Sequence, residues 1–522
     1  MAFNDDEKPP TTNTGRPRGL VTIKPVKYFK DDAALTADTV MTEVEINATS
    51  STTVREGLDL VAVLDKSGGM DGEKFESMKE AMLFVITKLT PLDRLSVVTF
   101  SDGATRLSPL RSMTLSARDD FKALVSGLQA NGGSGTNTQA GLETGLALIA
   151  DRVYTKARTA NIFLMSGGHQ TSGDARQVDP GQVPIYTFGF GKDTDLQLMS
   201  DIAKKSPGGT FSSVPDGSKV SLAFSQLLAG LLTVVAQDVQ LTLTPRTEEG
   251  DVDTIAVAPG TDYTQVTDVA TGVITIKFGT LFAGEGRRVA ITLTLKDVSA
   301  TIKEEYDAPL AEVQHSFTAQ GRPRDPQIPD DISIKRTPTP SQSPLGASSK
   351  ARQLQAEIVR PQYAEAIRQG RLLADDGQLD DARDKLVDAQ KALENIVLDD
   401  GEKLVSSLRT ELLQLITLMD TQELYKAKGR PYALASETSH GRQRYAARGD
   451  DVDDVRLFAT PRMDTYREQA MNFEKNPTAP VPSADEDVKQ GTKELYESQG
   501  RPYALASEAS HGRQRYASRG GD

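Results

Sequence analysis

Asp65 and Ser67 stand two residues apart in Asp65-Lys66-Ser67-Gly68-Gly69, directly after an apolar run at 58–64. A carboxylate and a hydroxyl at this spacing, in a glycine-rich turn, offer oxygens that a hard divalent cation accepts. Other candidate chemistry is sparse. The histidines are His169, His315, His440 and His511, few candidates for a general base. There is no cysteine, which excludes thiol nucleophiles, disulfides and Cys-based zinc sites. Gly132-Gly133-Ser134-Gly135 lacks the Gly-Lys-Ser/Thr ending of a phosphate-cradling loop. The arginines within 442–448 and 513–519 read as solvated charge, and Arg448-Gly449-Asp450 as an integrin-type tripeptide without a receptor.

The elements around Asp65 place it. The 58–64 run has the length and branching of a strand buried on both faces. Phe75, Met78, Met82, Val85, Ile86 and Leu89 follow at i, i+3, i+4 spacing, one apolar stripe of a helix. In a strand–turn–helix unit of a parallel sheet, ligands bind beyond the carboxyl ends of the strands, where Asp65 and Ser67 fall. Further strands are expected at 95–100, 160–165 and 184–189, and helices at 75–89, 138–150, 196–204 and 220–236. This alternation predicts a doubly wound parallel sheet covered on both faces.

Asp65, Ser67 and Met70 match the D-x-S-G-S-M signature that opens the metal-ion-dependent adhesion site of von Willebrand factor A (vWA) domains. Residues 94–101 and 186–191 resemble in particular the vWA domains of plant RING-type ubiquitin ligases. The resemblance implies a domain over 58–237 with a Mg²⁺ site built from three loops. By motif, Asp65, Ser67 and Thr136 are its metal ligands. The second motif serine is Gly69, and the third-loop Leu-x-Ser-Asp-Gly becomes Met165-Ser166-Gly167-Gly168, so its carboxylate is lost at Gly167. With Asp65 the one motif carboxylate left, a site formed by Asp65, Ser67, Gly69, Thr136 and Gly167 is expected to hold Mg²⁺ weakly or not at all. It then serves as a partner-binding or vestigial crevice, or as a loop network in which Asp65 and Ser67 cap the next helix. Asp71 and Asp174 are the nearby candidates for compensating ligands.

Outside this domain the apolar period drops from 3.6 to 2. Strands are expected at 20–29, an edge strand interrupted by Pro25, and at 40–46, 239–243, 273–278 and 289–295. They predict an antiparallel β-sandwich, its first part at 20–57 and its second at 238–320, with the vWA domain inserted between them. Residues 1–19 read as disordered and 321–350 as a Pro/Ser-rich linker. Residues 351–421 read as a helical hairpin region in which Pro361 kinks or breaks the first helix. That region is either a self-contained bundle or a groove for a partner. Residues 422–522 form a tail with an internal duplication: Gly429-Arg430-Pro431-Tyr432-Ala433-Leu434-Ala435-Ser436-Glu437 returns as Gly500-Arg501-Pro502-Tyr503-Ala504-Leu505-Ala506-Ser507-Glu508. The tail is a recognition segment that orders on a partner, or a repeat without a role. Most of the chain after Gly449 is expected to lack fixed structure.

Composition bounds the function. The chain has 522 residues and a formal net charge of −13, which argues against general nucleic-acid binding. No apolar run is long enough to span a membrane, and residues 1–18 do not read as a signal peptide, so cytosol or nucleus is the expectation. Without cysteine, intrinsic RING-type ligase activity is excluded. The sequence predicts a non-enzymatic protein-interaction scaffold with no cofactor beyond weak Mg²⁺. The alternative is a RING-less adaptor or decoy that binds the substrates of a ubiquitin-ligase family or a RING-bearing homologue. A metal-dependent hydrolase is the third reading.

Overall fold

A computed structural model describes residues 8–10, 20–28, 30, 32–50, 55–132, 134–191, 193–215, 220–247, 250–258, 262–324, 329–341, 349–394, 403–449 and 456–490. The expected disorder of 1–19 and the second tail copy lie almost wholly outside these residues.

Three strands come first: β1 (Val21–Tyr28), β2 (Asp32–Ala34) and β3 (Asp38–Ala48). The parallel-sheet domain follows with β4 (Gly57–Asp65), α1 (Glu73–Lys88), β5 (Arg94–Phe100), β6 (Ala104–Arg106), β7 (Arg111–Ser112), α2 (Leu115–Ser126), α3 (Thr138–Ala150), β8 (Arg158–Ser166), β9 (Ile185–Phe190), α4 (Leu196–Lys205), β10 (Phe211–Val214) and α5 (Val220–Leu231). The sheet order is β10-β9-β8-β4-β5-β6, with β7 also on β5. β4 pairs in parallel with both β5 and β8, and all nine of its residues are buried. Apolar side chains alternate between two cores: Leu58, Leu60, Ala62 and Leu64 face α1 and α5, while Val61 and Val63 face α3 and α4. A strand covered on both sides needs this continuous run.

The chain then builds antiparallel sheets from β11 (Val234–Pro245), β12 (Val252–Val257), β13 (Thr264–Thr267), β14 (Ile274–Phe282), β15 (Gly286–Leu295), β16 (Tyr306–Ala319), β17 (Arg322–Arg324) and β18 (Asp330–Thr337). One sheet runs β1-β3-β15-β12 and the other β13-β14-β11-β16-β18-β2, with β17 on β16. Their inner faces share one apolar core. β3 lies against β15 with Val44 opposite Val289, so strands from either side of the inserted domain share a sheet, as their common period predicts.

Two boundaries depart from the sequence reading. The helix expected over 220–236 ends at Leu231, because Val234-Val235-Ala236 already belong to β11, with Val234 opposite Phe282. Part of the expected linker 321–350 is sheet: β17 pairs with β16, and β18 pairs with β16 and, in parallel, with β2. Only Ile332, Ile334, Arg336 and Thr337 of β18 are buried, so its inward face carries little apolar signal. Arg336 fills it by donating to Ala34 O (2.8 Å) and Thr36 O (2.9 Å) and pairing with Asp251 (2.9 Å).

The last helices are α6 (Ser349–Asp375), α7 (Leu379–Glu394), α8 (Lys403–Leu418), α9 (Gln422–Leu424), α10 (Arg430–Arg442) and α11 (Pro461–Lys475), with a π-helical turn, Tyr425–Gly429, between α9 and α10. α6 runs on through Pro361 without breaking. The apolar faces of α6, α7 and α8 meet in a core that includes Tyr425, Tyr432 and Ala433, so the hairpin is closed by what was read as tail. Nor is the described chain after Gly449 structureless: α11 buries Met463, Tyr466, Ala470 and Phe473 in the core of α1 and α5. Among the described residues, no helix is long and apolar enough to cross a membrane.

Candidate functional site

Asp65 closes β4 at the carboxyl edge of the sheet. Its Oδ1 accepts from Ser67 N at 2.8 Å, and its Oδ2 from Ser166 Oγ at 2.7 Å and Gly167 N at 3.4 Å. The side chain is fully buried. Burial pushes the carboxyl above its ordinary range, against the pull of these donors. Ser67 is equally buried, and its hydroxyl lies beside that carboxylate and helps to hold it down. Thr136 joins them from the loop before α3: its N–H donates to Thr171 Oγ1 (2.8 Å), and its carbonyl accepts from Thr171 N (2.9 Å). The structure therefore brings together the predicted Asp65, Ser67, Thr136 and the two glycines.

What separates this arrangement from a Mg²⁺ site is how the glycines are used. A Cβ on Gly69 would lie 2.9 Å from Gly168 Cα, so the third loop rests directly on the first where the second serine would stand. A Cβ on Gly167 would lie 2.5 Å from Met70 Sδ and 3.3 Å from Lys74 Cδ. The Lys74 ammonium is held 3.5 Å from Gly167 O and 3.5 Å from Asp193. The space of the lost carboxylate is thus filled by a thioether and flanked by a cation. Ser67 Oγ adds a hydroxyl oxygen, but one carboxylate, already engaged by Ser67, Ser166 and Gly167, does not match the oxygen set that Mg²⁺ demands. Among the described residues, no group of three or more His, Asp or Glu is placed to hold a metal.

The sheet order and this three-loop crest coincide with the sequence comparison, in which residues 59–226 match the von Willebrand factor type A domain. The chain is a vWA-domain protein. Residues 402–472, from α8 into α11, match a second family described as VWA / Hh protein intein-like. The protein is distantly related to plant E3 ubiquitin-protein ligases: it is 30% identical over 243 residues to WAV3 of Arabidopsis thaliana, covering 46% of this chain and 31% of that one. It spans about a third or less of the length of the plant relatives it matches. Having no cysteine, this chain carries no RING zinc finger. Among solved structures, a von Willebrand factor type A protein from Catenulispora acidiphila aligns with 82% of this chain and 97% of its own (TM-score 0.59, 19% identity). The ArnB paralog VWA2 from Sulfolobus acidocaldarius aligns with 80% and 97% (TM-score 0.50, 16% identity). Both likenesses extend well beyond the vWA domain and concern the fold.

The remaining candidates stay outside the vWA crevice. Asp71 is exposed and accepts from its neighbour Gly72 N at 3.1 Å. Asp174 caps a short turn, accepting from Arg176 N at 3.1 Å and Gln177 Nε2 at 3.2 Å. His169 is exposed on the third loop. His440 sits 2.7 Å from Glu411 through Nε2, a pairing that suggests acid–base chemistry, yet both side chains are fully buried and no substrate reaches them.

For the arginines within 442–448 the expectation of solvated charge is overturned, while 513–519 lie outside the described residues. All of α10 from Pro431 to Arg442 is buried, wedged between the vWA edge, the sandwich and the helical hairpin. Arg444 donates to both Glu285 oxygens at 2.8 Å, to Thr280 O at 2.7 Å and to Gly208 O at 3.1 Å, and stacks 3.8 Å over the Phe282 ring. Arg448 donates to Glu411 at 2.7 Å, which removes it from any Arg-Gly-Asp ligand surface. Glu437 accepts from Arg371 at 2.5 Å and from Lys204 at 2.7 Å. A polar helix buried all round has no apolar stripe, so periodicity missed it; the repetition of its sequence was the available signal.

Proposed function

We propose that this chain is a non-enzymatic interaction scaffold whose vWA loop crest binds a protein partner without a bridging metal. The observation that carries this reading is the contact of Gly167-Gly168 with Gly69 and Met70, which closes the centre of the crest and leaves its rim exposed. Asp71, Asp102, His169 and Asp193 stand on that rim, around the buried Asp65. vWA domains commonly mediate protein interactions, and a partner on this crest meets side chains and loop backbone rather than a cation. The buried Asp65 and His440–Glu411 pair, both out of reach of substrate, argue against hydrolysis. The net charge of −13 and the absence of a membrane-spanning helix among the described residues favour a protein as the partner over nucleic acid or lipid. Cytosol or nucleus is the proposed location.

A second reading, an adaptor or decoy of the ubiquitin-ligase family that binds a RING-bearing relative or its substrates, is favoured by the likeness to WAV3 combined with the absence of cysteine. Affinity capture from extract, run in Mg²⁺ and in EDTA, tests both. The scaffold reading expects capture that is indifferent to EDTA and lost in a chain carrying Asp71→Lys and Asp102→Lys. Capture that needs Mg²⁺, or that ignores the substitutions, overturns it. A RING-bearing relative among the captured proteins supports the adaptor reading.

A further inference from the structure

The segment that fills the central slot, residues 421–449, returns in the sequence at 492–520. The two differ at six positions: Gln422, Lys426, Ala427, Lys428, Thr438 and Ala447 stand where the second has Lys493, Glu497, Ser498, Gln499, Ala509 and Ser518. In the first copy Lys426 and Lys428 are exposed, and Gln422 and Ala427 are half-buried. Only Thr438 and Ala447 are buried, and each is exchanged for another small residue. Every buried anchor is repeated: Tyr425 as Tyr496, Tyr432 as Tyr503, Glu437 as Glu508, His440 as His511, Arg442 as Arg513, Arg444 as Arg515 and Arg448 as Arg519. The copies have diverged mainly where the slot does not read them.

We propose that residues 492–520 are a second occupant of this slot, and that they fill it in a second copy of the chain by displacing that copy's residues 421–449. The placement of the preceding residues favours a second molecule over the same one. Asp487 is buried against Lys88 and Gln469, beside α11 on the α1 face of the vWA sheet. The slot takes Leu434 and Ala435 against α4 on the opposite face. The five backbone steps from Asp487 to Thr492 reach at most about 18 Å, so filling the slot of the same chain would pull the segment around Asp487 and α11 from their seats.

Exchange trades one set of contacts for a nearly equal set. Among the exchanged side chains, Thr438 loses the bonds in which its Oγ1 accepts from Phe211 N at 3.2 Å and donates to Ala435 O at 3.0 Å, while Gln422, which donates to Ala374 O at 3.3 Å, is exchanged for a lysine that can also donate. The first copy, also tethered next to the slot, therefore holds it in a dilute isolated chain. Exchange emerges at high protein concentration, or during folding before the slot is filled. Because each chain offers one slot and one extra segment, the contact is head-to-tail and closes into rings or grows into chains.

The absence of cysteine gives a clean test. A Cβ built on Gly441 would lie 3.4 Å from Asp262 Cβ, close to disulfide spacing. The double variant Asp262→Cys with Gly512→Cys, refolded from urea at high concentration under mild oxidation, should form disulfide-linked dimers and larger species on a non-reducing gel. These should exceed by several-fold the pairing of either single variant, and should fall to that background when His511→Ala and Arg515→Ala are added. Asp262→Cys with Gly441→Cys should instead cross-link within one chain and calibrates the geometry. Linked species no more abundant than those of the single variants, or an exclusively intrachain cross-link in the Gly512→Cys chain, would overturn the proposal.

Discussion

At the scale of single residues, burial decides what each charged group can do. Glu56 lies under the start of β4, accepting from Gln320 N at 2.5 Å, and its burial pushes its pKa up to about 7 despite that bond. A carboxyl raised in the folded state adds stability that is complete below its unfolded pKa and is lost as pH rises through the folded value. The chain should therefore lose about 3 kcal/mol between pH ~4.5 and ~7 through this group. Denaturant melts across that window should show the slope, and Glu56→Gln should flatten it. Glu411 has the opposite sign. Burial would raise it, but Arg448 and His440 hold it down at about 2. Its contribution is present above the unfolded pKa and should disappear as pH falls from ~4.5 toward ~2, a limb that Glu411→Gln removes.

The same scale shows why the motif residues could be found in the sequence and the closure could not. Asp65, Ser67 and Thr136 announce themselves by type and spacing. That Gly69 and Gly167 are packed shut depends on Met70, Lys74 and Gly168, whose meeting is a tertiary fact. Restoring the motif with Gly69→Ser and Gly167→Asp should therefore destabilise the chain by roughly 1–3 kcal/mol rather than create a metal site. A double variant that melts no lower than the parent, and higher in Mg²⁺, would contradict this.

At the scale of elements, strands and helices with an apolar face were legible. β4, β5, β8 and β9 and helices α1, α3 and α4 fall within a few residues of their predicted bounds because two-sided burial and a 3.6 period both leave marks. β18 and α10 were not legible, because their burial rests on arginine and small residues. In α10 the polar anchors do the work of an apolar stripe. Removing Arg444 would leave Glu285 paired with Arg287 at 2.8 Å, but would strip Thr280 O and Gly208 O of their buried donor and one carboxylate oxygen of its partner. Arg444→Ala should cost about 2–4 kcal/mol, and Arg444→Lys should recover little, since a compact ammonium lacks the planar fork that reaches Glu285, Thr280 O and Gly208 O together. Chemical denaturation of the two variants beside the parent reads this directly. A loss under 1 kcal/mol would show that the wedge is dispensable.

At the scale of the whole molecule, the vWA domain is not a separable bead. α11 covers α1 and α5, with Phe473 edge-on to Phe84 at 5.7 Å, and Lys88 is enclosed by Tyr466, Gln469 and Asp487. α10 covers α4 and β10 on the other face, through Leu434 and through Thr438 on Phe211. A fragment limited to 58–231 exposes both faces. It should aggregate or melt far below a chain that ends at 490, which keeps α10 and α11. The sequence suggested an inserted domain with a tail behind it, because patterning reports each element's own face and not which distant segment covers it.

The central claim is that the crest of this vWA domain is closed to Mg²⁺. The direct measurement is thermal melting of the intact chain against Mg²⁺ from micromolar to tens of millimolar, with a monovalent salt of matched ionic strength as control. A ligand that binds only the folded state raises stability by RT ln(1 + [L]/Kd), about 2.7 kcal/mol at a hundredfold excess over Kd. The closed crest predicts no shift beyond the salt control, and the same null response in Asp65→Asn. A saturable rise in Tm with millimolar Mg²⁺, abolished by Asp65→Asn, would contradict it.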